Sequence, residues 1–360
     1  MRARTIAKTT LDASALDFAP HAPFILGPSG QTGRFRDDSR RHDKGLSMTR
    51  AFVFPGQGSQ AVGMGRDLAQ AFAPAREVFE EVNDVLGQRL DRLMFEGPEA
   101  DLTLTENAQP AIMAVSVAVA RTIQAELGRP LMAAAAFVAG HSLGEYSALV
   151  AAGALPLGAT AKLLRLRGQA MQQAVPVGQG AMAALLGIDA EPLGPVLAEA
   201  AQGEVCSIAN DNAPGQVVIS GAAAAVERAE KLALARGAKR SIRLPVSAPF
   251  HCALMQPAAD RMAEALKDAP FAAPAVPVIS NPTAQPVDVP AAIRRLLVQQ
   301  VTATVRWRES VLRLRQEGVD TVVELGPGKV LTGLVKRIDR DIAALSAATP
   351  AEIEAVLKTL

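Results

Sequence analysis

The chain has 360 residues, 49% hydrophobic and 20% charged, with a formal net charge of +1. That composition builds a sizeable core and excludes global disorder, and the near-neutral balance removes a whole-chain electrostatic case for nucleic acid. Two cysteines, Cys206 and Cys252, are too few for a disulfide framework or a cysteine zinc cluster, and the longest apolar runs (111–120 and 131–139) fall short of a membrane span, so a soluble, cytoplasmic protein of two domains, or of one large domain with an insert, is expected.

In chain order, residues 1–47 stand apart. They carry eight Lys/Arg and five Asp/Glu, leaving the remainder slightly acidic, and their apolar residues keep neither helix nor strand period. Asp12 and Asp17 argue against a transit peptide, and there is no apolar signal core followed by a cleavage site. A disordered extension from an upstream start codon is expected, with Met48 as the functional first residue. From there the text is α/β. Residues 51–54 read as a short buried strand, and Pro55-Gly-Gln-Gly-Ser-Gln60 as the loop leaving it. Helices follow over 67–87 and 108–127, then a strand over 135–139 and a break at Gly140-His-Ser-Leu-Gly144. A helix stopping near Gly153 and another over 157–174 come next.

Residues 178–247 hold a pattern of their own. Strand 181–186, helix 190–201, strands 205–210 and 216–220, helix 222–236 and strand 239–244 are expected in that order. This is the split βαβ unit of ferredoxin-like folds, so a small domain inserted into a larger one is expected. A helix over 252–267, a strand over 276–280, helices over 288–300 and 307–317, and a buried strand over 321–325 complete the larger domain, 48–177 with 248–360.

Gly140-His-Ser142-Leu-Gly144 fits G-x-S-x-G between a strand and a helix, the context in which this short pattern marks a nucleophile. Flanking glycines permit the tight turn that lifts the hydroxyl out at the carboxyl end of a sheet. The Leu143 N–H, at the helix start, then faces a developing oxyanion. The bland alternative is an ordinary serine N-cap. A serine nucleophile needs a base. Of four histidines, His21 and His42 lie in the extension, and His141 adjoins the serine and points away from it at such a turn. His251 is left. Gly56-Gln-Gly58 offers backbone N–H groups for a second oxyanion donor, or is a glycine-rich turn and nothing more. Gly326-Pro-Gly-Lys329 is not a phosphate loop, because valines stand at 323 and 330 where that motif needs Gly and Ser/Thr. Arg165 and Arg167 lie on the helix after the Ser142 helix. Both belong to a solvated face unless one is buried beside the serine, where it would bind a substrate carboxylate as a bidentate pair.

With these residues assembled, the chain resembles the malonyl-CoA:acyl carrier protein transacylases of bacterial fatty acid synthesis. The resemblance runs from about Met48 to the C-terminus. It rests on Phe54-Pro-Gly-Gln-Gly-Ser-Gln60, Gly140-His-Ser-Leu-Gly-Glu-Tyr146, Arg167-Gly168, Pro214-Gly-Gln-Val-Val-Ile219, His251-Cys-Ala-Leu-Met255 and Gly326-Pro-Gly-Lys-Val-Leu-Thr-Gly333. It implies an α/β-hydrolase-like core with a largely parallel sheet and a ferredoxin-like insert. It further implies a malonyl ester on Ser142, His251 as general base, and oxyanion N–H groups from Gln57 and Leu143. Arg167 would clamp the malonyl carboxylate, the Gln300 carbonyl would orient the histidine, and Phe250 would crowd out an α-methyl group. Partners would be malonyl-CoA and holo acyl carrier protein, with Lys239, Arg240, Lys336 and Arg337 as candidate docking cations; no metal or redox cofactor is called for. Rival readings are a discrete polyketide-pathway acyltransferase, an inactive carrier-binding scaffold, and a serine thioesterase or esterase. The hydrolase needs an acidic partner for the histidine, and the acids between Ser142 and His251 (Asp189, Glu191, Glu204, Asp211, Glu227 and Glu230) all fall in or beside the insert.

Overall fold

Short runs of β-branched, aromatic and small apolar residues, buried on both faces, give the strands of the main sheet. The computed structural model describes residues 49–246 and 248–360. In it β1 (Arg50–Phe54) and β2 (Phe137–Gly140) pair in parallel. β3 (Gly180–Leu186), β4 (Cys206–Ala213), β5 (Gln216–Ala222) and β6 (Arg240–Arg243) form a separate antiparallel sheet. The chain then returns to the first sheet through β7 (Val278–Ile279), β8 (Pro286–Val287), β9 (Thr321–Leu325) and β10 (Ala343–Ala347). Its order is β10-β9-β1-β2-β7-β8, parallel throughout except for the last pair. The expected α/β class with a largely parallel sheet is what the chain adopts. The expectations for residues 1–47 and for a start at Met48 fall outside the described residues.

Successive side chains of a strand point to opposite faces, and β1 divides accordingly. Phe52 and Phe54 join the core built with helices Thr105–Leu127 and Leu143–Ala151, whereas Ala51 and Val53 pack with Trp307, Val311 and Leu314 of helix Trp307–Gln316. Helices therefore cover both faces of the sheet. Helix Thr105–Leu127 is long and apolar enough to cross a membrane by length and composition alone. Its apolar surface is consumed inside the fold, against helices Ala73–Leu86 and Leu157–Gln173.

The four-stranded sheet runs β4-β5-β3-β6, with helices Leu193–Ala201 and Ala223–Ala235 packed together over one face on a core of their own. Hydrogen bonds to the β4 backbone join it to the rest of the chain. Val305 N–H donates to Ala209 O at 2.8 Å, Asp211 N–H donates to Val305 O at 3.0 Å, and the Thr304 hydroxyl donates to Ile208 O at 2.6 Å. β4 runs three residues further than its apolar pattern suggests. Irregularities at Ile208/Asn210 and Asp211/Ala213 interrupt its pairing with β5, and such bulges re-aim side chains. Helices Leu90–Glu96 and Glu99–Thr103, strand β10 and the helices Val330–Ile338 and Pro350–Leu357 were not expected from the sequence.

Candidate active site

Ser142 sits between the end of β2 and the start of helix Leu143–Ala151, with φ 53° and ψ −109°. A non-glycine residue in such a conformation costs about 1–3 kcal/mol and persists only where its surroundings impose it. Asn281 imposes it here. Its Oδ1 accepts the Ser142 N–H at 2.7 Å, and its Nδ2 donates to the Gly140 carbonyl at 2.7 Å. The flanking glycines are required by contact. A Cβ on Gly140 would lie 1.9 Å from the Gly144 carbonyl carbon, and one on Gly144 would lie 2.2 Å from the Phe54 carbonyl oxygen.

His251 is buried, also at positive φ (59°), with Nε2 2.8 Å from Ser142 Oγ and Nδ1 2.9 Å from the Gln300 carbonyl oxygen. A carbonyl only accepts, so Nδ1 carries the proton and Nε2 is free to take the serine's. Burial, and after it the Arg167 charge, push the imidazole down to about 3. The imidazole is therefore neutral far below the range of an ordinary histidine. We expect serine acylation to lose less than about twofold in kcat/KM between pH 8 and pH 5, where a histidine of ordinary pKa loses roughly thirtyfold. A stopped-flow pH series on acylation checks this; a fall centred near 6.5 would show that His251 titrates as if exposed.

Arg167 is buried, and its three hydrogen bonds all go to neutral oxygens. Nη1 donates to Gln109 Oε1 at 2.8 Å, and Nη2 donates to Gln300 Oε1 at 2.9 Å and to Ser142 Oγ at 3.1 Å. Burial lowers its pKa from the ordinary arginine value, with Tyr146 and Glu145 opposing. A cation in such a place gains most from an anionic ligand. Arg165 does not share it; half-buried, it donates to Gln88 Oε1. Gln57, Leu143 and Phe250 line a cavity of about 250 Å³ together with Ser142, Arg167 and His251, and the small sheet contributes Met182 and Asn210. The seven residues expected to form the site therefore meet around one cavity or, for Gln300, directly behind it.

His141 faces away from Ser142, its Nε2 2.9 Å from the Oδ1 of Asn212 at the second irregularity of β4. The acids a hydrolase would need are engaged elsewhere. Asp211 and Glu191 hold Arg308, Glu204 holds Arg228, Glu227 holds Lys231, Glu230 holds Arg243, and Asp189 accepts the Gly215 N–H. Among the described residues, no group of three or more His, Cys, Asp or Glu is placed to hold a metal. Sequence reasoning missed Asn281, Gln109 and Glu145. Glu145 lies inside a quoted motif, one helical turn after the serine, yet nothing in its spacing says that it is buried. Burial pushes its carboxyl up to about 7, against hydrogen bonds from Gln300 and Asn281.

Residues 51–354 match the acyl transferase domain family. A malonyl CoA-acyl carrier protein transacylase of Bacillus subtilis (strain 168) is 47% identical over 311 residues, covering 86% of this chain and 96% of the relative. The crystal structure of an acyl-carrier-protein-S-malonyltransferase from Bartonella henselae is similar with a TM-score of 0.85 and 55% identity, covering 87% of this chain and 99% of that one. A malonyl-transacylase solved in complex with a type II polyketide synthase acyl carrier protein aligns at 46% identity and a TM-score of 0.84, covering 87% of this chain and all of that one.

Proposed function

This chain belongs to the acyl transferase family, and from that premise we propose a two-step, ping-pong route through Ser142 for its reaction, the transfer of malonyl from malonyl-CoA to the thiol of holo acyl carrier protein. The observation that carries the route is the line Gln300 O···Nδ1 His251 Nε2···Oγ Ser142, closed by Arg167 on the same hydroxyl.

Ser142 Oγ attacks the thioester carbonyl while its proton passes to His251 Nε2. The N–H groups of Leu143 and Gln57 receive the oxyanion, and collapse expels the CoA thiolate, which takes the proton back from the imidazolium. The carrier's phosphopantetheine thiol then gives its proton to His251 and attacks the ester, and the serine alkoxide leaves and is reprotonated. A carbonyl in place of a triad carboxylate fixes the tautomer but stabilises the imidazolium less than a charge would. A thiolate leaves readily, so less stabilisation suffices. Arg167 pairs with the malonyl carboxylate, and the Phe250 ring, directly before the base, limits room at the α-carbon.

We read 178–247 as a ferredoxin-like domain inserted into an α/β-hydrolase-like catalytic domain formed by 48–177 and 248–360. The β4-β5-β3-β6 order with two helices supports that reading. A cytoplasmic location belongs to the same proposal. Lys239 and Arg240, at the start of the strand that leads to Leu244, Pro245 and Val246 on the cavity wall, would meet an acidic carrier in this reading. A polyketide carrier as second acceptor is favoured by the neighbour bound to one.

Intact-protein mass after brief exposure to malonyl-CoA tests the route. A malonyl adduct is expected, stable in buffer and discharged within seconds by holo acyl carrier protein but not by the apo form. Steady CoA release into water without an adduct would make the chain a hydrolase. Discharge rates with fatty-acid and polyketide carriers separate the two pathways.

A further inference from the structure

One carboxylate oxygen, Glu145 Oε2, accepts from both the Gln300 side chain and the Asn281 backbone. The Gln300 amide nitrogen spends its two hydrogens on Glu145 Oε2 (2.8 Å) and the Ser142 carbonyl (3.0 Å), so its Oε1 is turned to Arg167 Nη2. A carboxylate and a carbonyl accept and never donate. Turning the amide over would set Oε1 against two acceptors and its NH₂ against a guanidinium. The same Glu145 Oε2 accepts the Asn281 N–H at 3.2 Å, and Asn281 is the residue whose side chain fixes the Ser142 backbone. Gln300 also carries, on its own backbone, the carbonyl that orients His251. Glu145, Asn281 and Gln300 are all essentially inaccessible to solvent, where a lost partner is not replaced by bulk water.

We propose that Glu145 is a positioning residue for the transfer, its Oε2 being the junction that holds the nucleophile turn, the carboxylate clamp and the base in one geometry. It touches no reacting atom and acts through Asn281 and Gln300. The role requires an acceptor at Oε2, not a charge, so it persists whether or not the other oxygen is protonated. This rests on the reading of Ser142, His251 and Arg167 given above.

Two variants separate the role from simple support of the fold. In Glu145→Ala, Asn281 and Gln300, through which the turn, the clamp and the base are held, each lose one hydrogen-bond partner. Malonyl loading per loadable site is expected to slow by about 10- to 100-fold, the scale of a misplacement of about 1 Å. The preference for malonyl- over acetyl-CoA is expected to fall with it, by about tenfold. Glu145→Gln keeps an acceptor at the same point and is expected to recover loading to within about threefold of wild type. Because Glu145 acts through Gln300 on Arg167, adding Glu145→Ala to Arg167→Ala should lower selectivity no further. The experiment measures loading by quenched-flow mass spectrometry with malonyl-CoA and acetyl-CoA, normalised to the fraction of each protein that can be loaded. A purely structural Glu145 would reduce that fraction and leave rate and selectivity per site at wild-type values, which overturns the proposal. So would a Gln variant as slow as the Ala one. Absence of any adduct on wild-type protein would instead overturn the reading of the site itself.

Discussion

Ser142→Ala is expected to carry no malonyl adduct after exposure to malonyl-CoA and to lose turnover by a factor on the order of 10⁵ or more, as removal of a serine nucleophile does elsewhere. The change is confined. Alanine keeps the Cβ, and the N–H to Asn281 and the carbonyl to Gln300 belong to the backbone. What disappears is the oxygen shared by His251 Nε2 and Arg167 Nη2. The loss therefore reads as chemistry and not as unfolding. Intact-protein mass with a thermal melt alongside settles it; an adduct on the alanine variant would place the nucleophile elsewhere.

Arg167→Ala is expected to invert selectivity. With Arg167 as the proposed counter-charge of the malonyl carboxylate, its removal should cost malonyl loading about 3 kcal/mol or more, a hundredfold or greater fall in kcat/KM. Acetyl-CoA offers no carboxylate and loses only what the Arg167 bonds to Ser142 Oγ and Gln300 Oε1 contribute. It also gains from a base no longer depressed by a neighbouring cation, since Arg167 is the second contributor, after burial, to the lowered His251 value. Lysine is not a conservative replacement, because one ammonium does not reach Gln109, Gln300 and Ser142 in the fork geometry the guanidinium uses. Loading rates for both thioesters on both proteins provide the check, and an unchanged malonyl-to-acetyl ratio would remove Arg167 from the role of clamp.

Legibility in the sequence tracked the range of the interactions involved. β1, β2 and β9 are buried on both faces, so their composition alone announces them. The Ser142 turn is announced by glycines that local sterics demand. β10, Ala-Ala-Leu-Ser-Ala, has little β-propensity and forms because β9 offers it a parallel edge. Helix Thr105–Leu127 starts three residues before its expected position and carries Pro110 inside it, since packing outweighs one lost backbone bond. His251 was reachable by elimination among four histidines. Glu145 and Asn281 were not, because the partners that give them meaning stand 155 and 136 residues away from Glu145 along the chain. Pairings at that range leave no periodicity to read.

The seam between β4 and the 304–305 segment bears on how this enzyme can be re-engineered. A chimera that grafts a relative's four-stranded unit onto this scaffold would be cut naturally at its two chain crossings, near 178 and 247. Yet the unit's outer strand is hydrogen-bonded into the stretch that directly follows Gln300, and its Asn212 holds His141. A transplant therefore has to bring the matching 301–308 stretch with it, or the mismatch is delivered straight to the Gln300 carbonyl bonded to His251 Nδ1. The unit that can be exchanged is not the one that the connectivity outlines.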